Sequence, residues 1–445
     1  MTGNRCRLWA VLLAIGVAAS FAAGPTWADP QGNNGSARKS KKSPSKSTKK
    51  KTSAKPEKIH VRWGKRRSET DAQYDKRYAR LLKKTVFDKE GDKSGGETRL
   101  WTYMGHPFIV RTDISKEFTA DTAMYMEMLH REYGEAFSKL LGVPAQAKEK
   151  IEVVVYKDQA TYTKSGGSAG SGGQFMPGVG AGFEDRGEKW PARRFRLMQF
   201  TSGVDDFARW PKAVLKHEAA HMEMQLRLGM NVIPQIKLTI PVDCPRWWNE
   251  GMASVFEYWD FDKTVDENFA LIPDRGRYAP VIRRIHGTDR WKDFNYVWTI
   301  DGATWGGDMT KDQGFLNYAQ AWSLAAYMMH EGKIGRKDFR AIFNLSKRVG
   351  ADSKGKDGEG GLRAWEVAFS ANDRDKLEKN WNSWVATNVP RTRKVPDEDW
   401  MLMRSGFNPD VLDKLIGLSE EDLAKMGEKI AKEQTRRKKN PPIEK

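Results

Sequence analysis

The stretch PKAVLKHEAAHMEMQLRLG, from Pro211 to Gly229, constrains this chain more than any other segment. It contains His217, Glu218 and His221 in the spacing H-E-x-x-H. Proline at the start and glycine at the end are typical of helix boundaries, so the pattern predicts a helix over the stretch. Two histidines four residues apart lie on one helix face and can bind one divalent ion, while the glutamate can reach a water on that ion. An ordinary core helix with two buried histidines is the alternative interpretation.

A second motif, PRWWNEGMA from Pro245 to Ala253, follows after a short linker. Glu250 lies early in the helix that we predict there and offers a carboxylate ligand. Zinc enzymes commonly use three protein ligands and leave one position open for water. His217, His221 and Glu250 make such a set, so the two motifs together predict a Zn²⁺ site.

H-E-A-A-H followed by W-W-N-E-G-M-A resembles the gluzincin metallopeptidases, and most closely the peptidase MA-like group of secreted bacterial proteins. By organisation the resemblance covers roughly residues 101–390, although only the two motifs are specific. It implies an α+β domain with a small mixed sheet, an H-E-x-x-H zinc helix and a helical C-terminal lobe. It also implies that His217, His221 and Glu250 bind zinc and that Glu218 is the general base in the hydrolysis of peptide bonds.

The resemblance further implies a donor for the oxyanion that forms during hydrolysis, since gluzincins often use a Tyr or His from the downstream lobe. Tyr318, near the start of a long predicted helix, is the candidate; a core aromatic is the alternative. Ligand histidines usually donate their second nitrogen to a carboxylate or carbonyl. Glu257 and Asn249 are candidate partners, because the position four residues after Glu250, where the family often has an acid, is Ser254.

Two segments before the first motif bear on substrate binding. Residues 194–200 alternate in polarity and predict a strand. Gluzincins hold extended substrate along an edge strand just before the zinc helix, so the resemblance makes this strand the candidate, with an interior strand as the alternative. The glycine-rich residues 166–182 contain no G-K-[ST] and so exclude a phosphate loop; they predict a surface loop or a flap near the cleft.

The net charge of +18 would suggest a polyanionic partner if it lay on a folded surface. Residues 36–67 instead hold fourteen Lys or Arg and a single acid, Glu57. Residues 29–68 are nearly free of apolar side chains and therefore predict a disordered tether. This tether is either a solvated spacer or a contact for anionic envelope polymers. Nucleic acid is a poor partner for an exported chain.

Residues 1–28 predict a signal peptide, with Arg5 and Arg7 before an apolar run and small residues at a cleavage site after Ala28. An uncleaved membrane anchor is the alternative, but the run is short for a spanning helix. No later segment is apolar enough to cross a bilayer. Export to the periplasm or the exterior follows, and Cys244 is then the single cysteine of the mature chain.

The remaining pattern divides the chain into a helical extension at 69–100, the metallopeptidase domain at 101–390, and a helical appendage with a basic tail at 391–445. Within the domain we predict strands over 106–112 and 151–156 and helices over 120–141, 317–331, 337–349, 361–369 and 373–385.

Three functions compete: an exported zinc metallopeptidase acting on a peptide or protein substrate, a catalytically silent zinc-binding structural or adhesion protein of the cell envelope, and a polyanion-binding surface protein. The complete H-E-x-x-H favours the enzyme over the silent protein. The third is disfavoured because most of the excess charge lies in the tether.

Overall fold

A computed structural model describes residues 63–87, 100–144, 151–168, 171–177, 183–185, 188–190, 195–201, 203, 212–233, 238–241, 244–275, 278–300, 304–305, 308, 312–330, 333–352 and 371–389. The predicted signal peptide, most of the predicted tether, the predicted helix over 361–369 and the predicted C-terminal appendage lie outside these residues.

Eleven α-helices are defined in these ranges: α1 (Asp71–Lys84), α2 (Lys116–Leu141), α3 (Gln159–Lys164), α4 (Lys212–Leu228), α5 (Arg246–Phe256), α6 (Val265–Ala270), α7 (Ala279–Ile285), α8 (Phe294–Thr299), α9 (Asp312–His330), α10 (Lys333–Asp352) and α11 (Ala371–Asn388). Helices α2, α9, α10 and α11 confirm four of the predicted helices, with α2 starting four residues earlier because Ser115 caps it through a bond from the N–H of Phe118. Within the described part of the chain, no helix has both the length and the apolar character needed to cross a bilayer.

The strands are β1 (Thr85–Phe87), β2 (Trp101–Met104), β3 (Phe108–Thr112), β4 (Ile151–Tyr156), β5 (Gly173–Pro177), β6 (Phe183–Asp185), β7 (Glu188–Trp190), β8 (Phe195–Phe200), β9 (Met230–Ile233) and β10 (Leu238–Pro241). Six of them form a sheet in the order β1-β2-β3-β4-β8-β5. The pairs β3–β4 and β4–β8 are parallel, whereas β1, β2 and β5 join antiparallel. The chain therefore has a mixed helical and sheet fold, in agreement with the α+β prediction.

The middle of the sheet follows from its sequence. Every residue of β4, IEVVVY, is buried, as expected of a parallel strand covered on both faces. Helix α2 lies against one face of the sheet, and α4 packs between α2 and β5. Helix α5 then packs between α4 and α9, so that α4 and α5, which carry the two motifs, lie side by side next to the β5 edge.

The prediction that residues 194–200 form the edge strand is wrong. Strand β8 is interior, because β4 pairs with it on one side and β5 on the other. The edge strand comes from the glycine-rich segment that we predicted as a loop or flap. Alternation in the sequence predicts a strand, but an edge position depends on a partner that lies elsewhere in the chain.

The folded body begins earlier than the predicted end of the tether at residue 68. The guanidinium of Arg67 donates to the carbonyl of Phe261 at 2.9 Å and contacts Glu132 at 3.0 Å. The ammonium of Lys212 lies 2.6 Å from the centre of the Trp63 ring. The next segment, which we predicted as a helical extension, adds α1 against α2 and strand β1 to the sheet. Residues 63–68 are thus part of the packed structure.

Gly64 shows how closely this first segment packs. Its φ is +75°, and a Cβ there would lie 2.3 Å from the carbonyl oxygen of Met124 in α2. Gly142, with φ +70°, has a similar backbone conformation, but a Cβ built there would have no atom within 4 Å.

We expect Gly64→Ala to destabilise the full-length protein well beyond Gly142→Ala. The control carries only the left-handed backbone penalty, about 1–2 kcal/mol, while Gly64→Ala must also move a backbone. Denaturant unfolding of the two variants measures the difference. Equal losses of stability would show that residues 63–68 do not pack on α2.

Candidate metal centre

The two motifs bring three predicted ligands to one point. Nε2 of His217 lies 3.2 Å from Oε2 of Glu250, and Nε2 of His221 lies 3.5 Å from the same oxygen. One ligand atom from each of the three residues falls within 4.8 Å of the others, so the cluster can hold a metal ion. Two imidazoles and one carboxylate are the donor set of a three-ligand zinc site.

Each imidazole is held through its other ring nitrogen. Nδ1 of His217 lies 2.8 Å from Oε1 of Glu257, and Nδ1 of His221 lies 2.9 Å from Oδ1 of Asn249. A proton on Nδ1 satisfies both contacts and leaves both Nε2 atoms to face Glu250. Both candidate partners are thus in place, and Glu257 lies directly after α5.

Arg246, which the sequence analysis missed, orients Glu250, the third predicted ligand. It lies one turn before Glu250 on α5, and its Nη2 is 2.8 Å from Oε1 of that carboxylate. The other carboxylate oxygen therefore points to the imidazoles. An Arg and a Glu four residues apart face each other on a helix, which is the signal that could have identified the pair.

The charged partners of His217 and Glu250 shift the pKa of both groups. Burial alone would lower the pKa of His217, but its bonds to Glu250 and Glu257 outweigh burial and raise that pKa to about 10. Burial would likewise raise the pKa of Glu250, but Arg246 and the two histidines hold it well below its ordinary value.

Glu218 is buried beside the cluster and forms no side-chain bond to either histidine within hydrogen-bonding distance among the described residues. Burial raises the pKa of its carboxyl, while both histidines act to lower it. The N–H of Phe175 in β5 faces the carboxyl group and also acts to lower the pKa. The side chain is thus next to the ligand atoms without being one of them.

Tyr318 reaches the same site from α9. It is fully buried, and its ring centre lies 6.5 Å from that of His217 and 4.9 Å from that of Trp305. Burial and the nearby Glu250 raise the pKa of its hydroxyl well above the ordinary value, so the phenol stays protonated and can donate. Tyr318 is therefore a core aromatic residue that also lines the cleft.

These groups line one cleft. Its lining is Gly173, Gln174, Phe175, Pro177, His217, Glu218, His221, Gln225, Arg246, Asn249, Glu250 and Tyr318. Strand β5 forms one wall. The sequence analysis predicted this segment as a surface loop or a flap near the cleft and missed the strand, because glycine-rich composition is typical of loops. The apolar run FMP at its end was the available signal.

Gly251 and a buried ionic cluster fix the helices that carry the ligands. A Cβ at Gly251 would lie 2.2 Å from the carbonyl oxygen of Ala321, so α5 and α9 touch backbone to backbone beside Glu250. On the far face of α4, the fully buried Glu223 pairs with Arg227 at 2.7 Å and contacts His130 of α2.

A scan against protein-family models and a search of curated proteins both gave no match. The assignment of this site therefore depends on its geometry.

We expect Glu257→Gln to weaken zinc binding by roughly tenfold to a hundredfold, the usual effect of losing a group that orients a ligand histidine. Ser254→Ala is the matched control on the same helix and should leave the affinity unchanged. Competition with a chelator measures both. The reverse ranking would mean that the family position, and not Glu257, orients His217.

Proposed function

We propose that this chain is an exported zinc-dependent metallopeptidase with a gluzincin-like site. His217, His221 and Glu250 hold Zn²⁺, and Glu218 is the general base. The observation that carries the proposal is the convergence of both Nε2 atoms on one Glu250 oxygen, with each imidazole held from behind. Export rests on the N-terminal sequence, since residues 1–28 lie outside the described ranges.

When bound, zinc supplies polarisation of a carbonyl and an acidified water. Glu218 accepts the proton of the attacking water and passes it to the leaving amine. Its buried position beside the ligand atoms supports this role, because burial raises the proton affinity of a carboxylate. The protonated hydroxyl of Tyr318, on α9, donates to the oxyanion.

Strand β5 is the surface that we assign to a peptide or protein substrate. It borders the cleft with four residues and pairs with β8 on one side only within the described sheet. An extended peptide can add to such an edge through main-chain hydrogen bonds. The substrate-binding edge that the resemblance implied for β8 is therefore assigned to β5, the next strand of the sheet.

We expect the full-length protein to carry about one zinc per chain, and His221→Ala to empty the site. Glu218→Gln keeps the shape and removes the proton acceptor. It should retain zinc and its melting temperature but lose on the order of a hundredfold or more in peptide hydrolysis. Elemental analysis, thermal unfolding and hydrolysis of a diverse peptide library measure these effects.

Each other outcome has its own meaning. An absence of metal in protein prepared without chelator would remove the basis of the proposal. Loss of zinc in Glu218→Gln would make Glu218 a structural residue. Zinc without any hydrolysis by the parent would favour the silent envelope protein.

A further inference from the structure

Strand β5 and helix α4 meet at Gly173, where the strand has no side chain. A Cβ built there would lie 2.8 Å from Cγ1 of Val214, 3.2 Å from the carbonyl oxygen of Met198 and 3.4 Å from Cγ of Glu218. The first distance is shorter than a carbon–carbon contact allows, and the second is to the backbone of β8. A side chain at this position would therefore be pressed between a fixed strand and the helix that carries the proposed base.

The position of Gly173 in the strand is fixed on both sides. It pairs with Gln199 of β8, and its carbonyl accepts a hydrogen bond from the hydroxyl of Ser171. The next side chain, Gln174, is anchored to the preceding loop, where its amide bonds Ser168 at 3.0 Å and the carbonyl of Gly166 at 3.1 Å. Strand β5 cannot slide or retreat to make room without breaking these bonds.

The helix side of the contact can yield only through side chains. Val214 and Glu218 lie four residues apart and so occupy one face of α4, the face against β5. Beside Val214, the helix atom that a Cβ would meet is Cγ of Glu218, at van der Waals contact, whereas none of the three predicted metal ligands is among the three nearest atoms.

We propose that Gly173 is a positioning residue for Glu218: its bare Cα lets β5 pack against the side chain of the base and sets where the carboxylate lies. This inference rests on the proposed function. A general base must lie within about 2.6–3.2 Å of the proton that it removes. A displacement of about 1 Å can cost on the order of a hundredfold in rate.

The test is Gly173→Ala in the full-length, zinc-loaded protein. We expect full zinc content, a fall in kcat of roughly tenfold to a hundredfold and a KM changed much less. Gly134→Ala is the matched control, because a Cβ there meets only a guanidinium nitrogen of Arg227 at 3.8 Å. It should leave kcat, KM and zinc content unchanged.

Val214→Ala provides a second-site test. Removing Cγ1 relieves the shortest contact, so the double variant Gly173→Ala/Val214→Ala should recover much of kcat, while Val214→Ala alone stays close to the parent. The double variant also serves if Gly173→Ala alone does not fold. If Gly173 had only a structural role, Gly173→Ala would lower the stability while the folded, zinc-loaded protein kept the kcat of the parent.

A crystal structure of zinc-loaded Gly173→Ala separates this inference from the proposed function. Glu218 displaced with both imidazoles in place supports the positioning role, even if the parent hydrolyses no peptide and the proposed function fails. An unmoved Glu218, or loss of zinc, overturns the positioning role. So does a parent that hydrolyses peptides with a Gly173→Ala variant that is equally active.

Discussion

The backbone contact between α5 and α9 at Gly251 is the constraint on which the rest of the site depends. Helix α5 carries Glu250 and Arg246, and α9 carries Tyr318, so their separation sets the distance between the carboxylate and the phenol. Trp247 and Trp248, one turn before Gly251 on α5, are both fully buried. Rigid packing of this kind transmits small displacements instead of absorbing them, because protein interiors are packed as densely as organic crystals.

The second condition for the site is that each of its buried charges has a partner. Two carboxylates, one guanidinium and two imidazoles lie within 3.5 Å of a partner in the set and are largely withdrawn from water. Removing ions from water costs several kcal/mol each in a protein interior and is offset only by close partners. Glu250 illustrates this, because one of its oxygens meets Arg246 and the other meets the imidazoles. The cluster is therefore stable only as a set, and truncating any one member leaves a buried charge without its partner.

Local pattern predicted the long helices and the three residues that converge at the candidate site. His217 and His221 lie four residues apart, and the helix that presents them follows from periodicity and its boundary residues. Glu257 could be named because two turns separate it from Glu250. In each case the information lies within one segment of the chain.

The position of β5 could not be predicted in the same way, because it depends on pairing between distant segments. Gly173 has low strand propensity, yet it lies in a strand, at a position where a larger residue would collide with α4. The start of the folded body near Trp63 was also missed, because composition shows only that residues 29–68 contain few apolar side chains. The contacts there are a cation over an aromatic ring and the bonds of Arg67 to carbonyl oxygens.

Alternation along β5 has a consequence for how such a chain can evolve. Successive residues of a strand face opposite sides, so inserting or deleting one residue between Ser171 and Pro177 would exchange the two faces. Gln174 would then point at α4, where only a bare Cα fits. Insertions and deletions in this region are tolerable only where a loop can absorb them. Sequence change in the glycine-rich segment is therefore confined to positions outside β5.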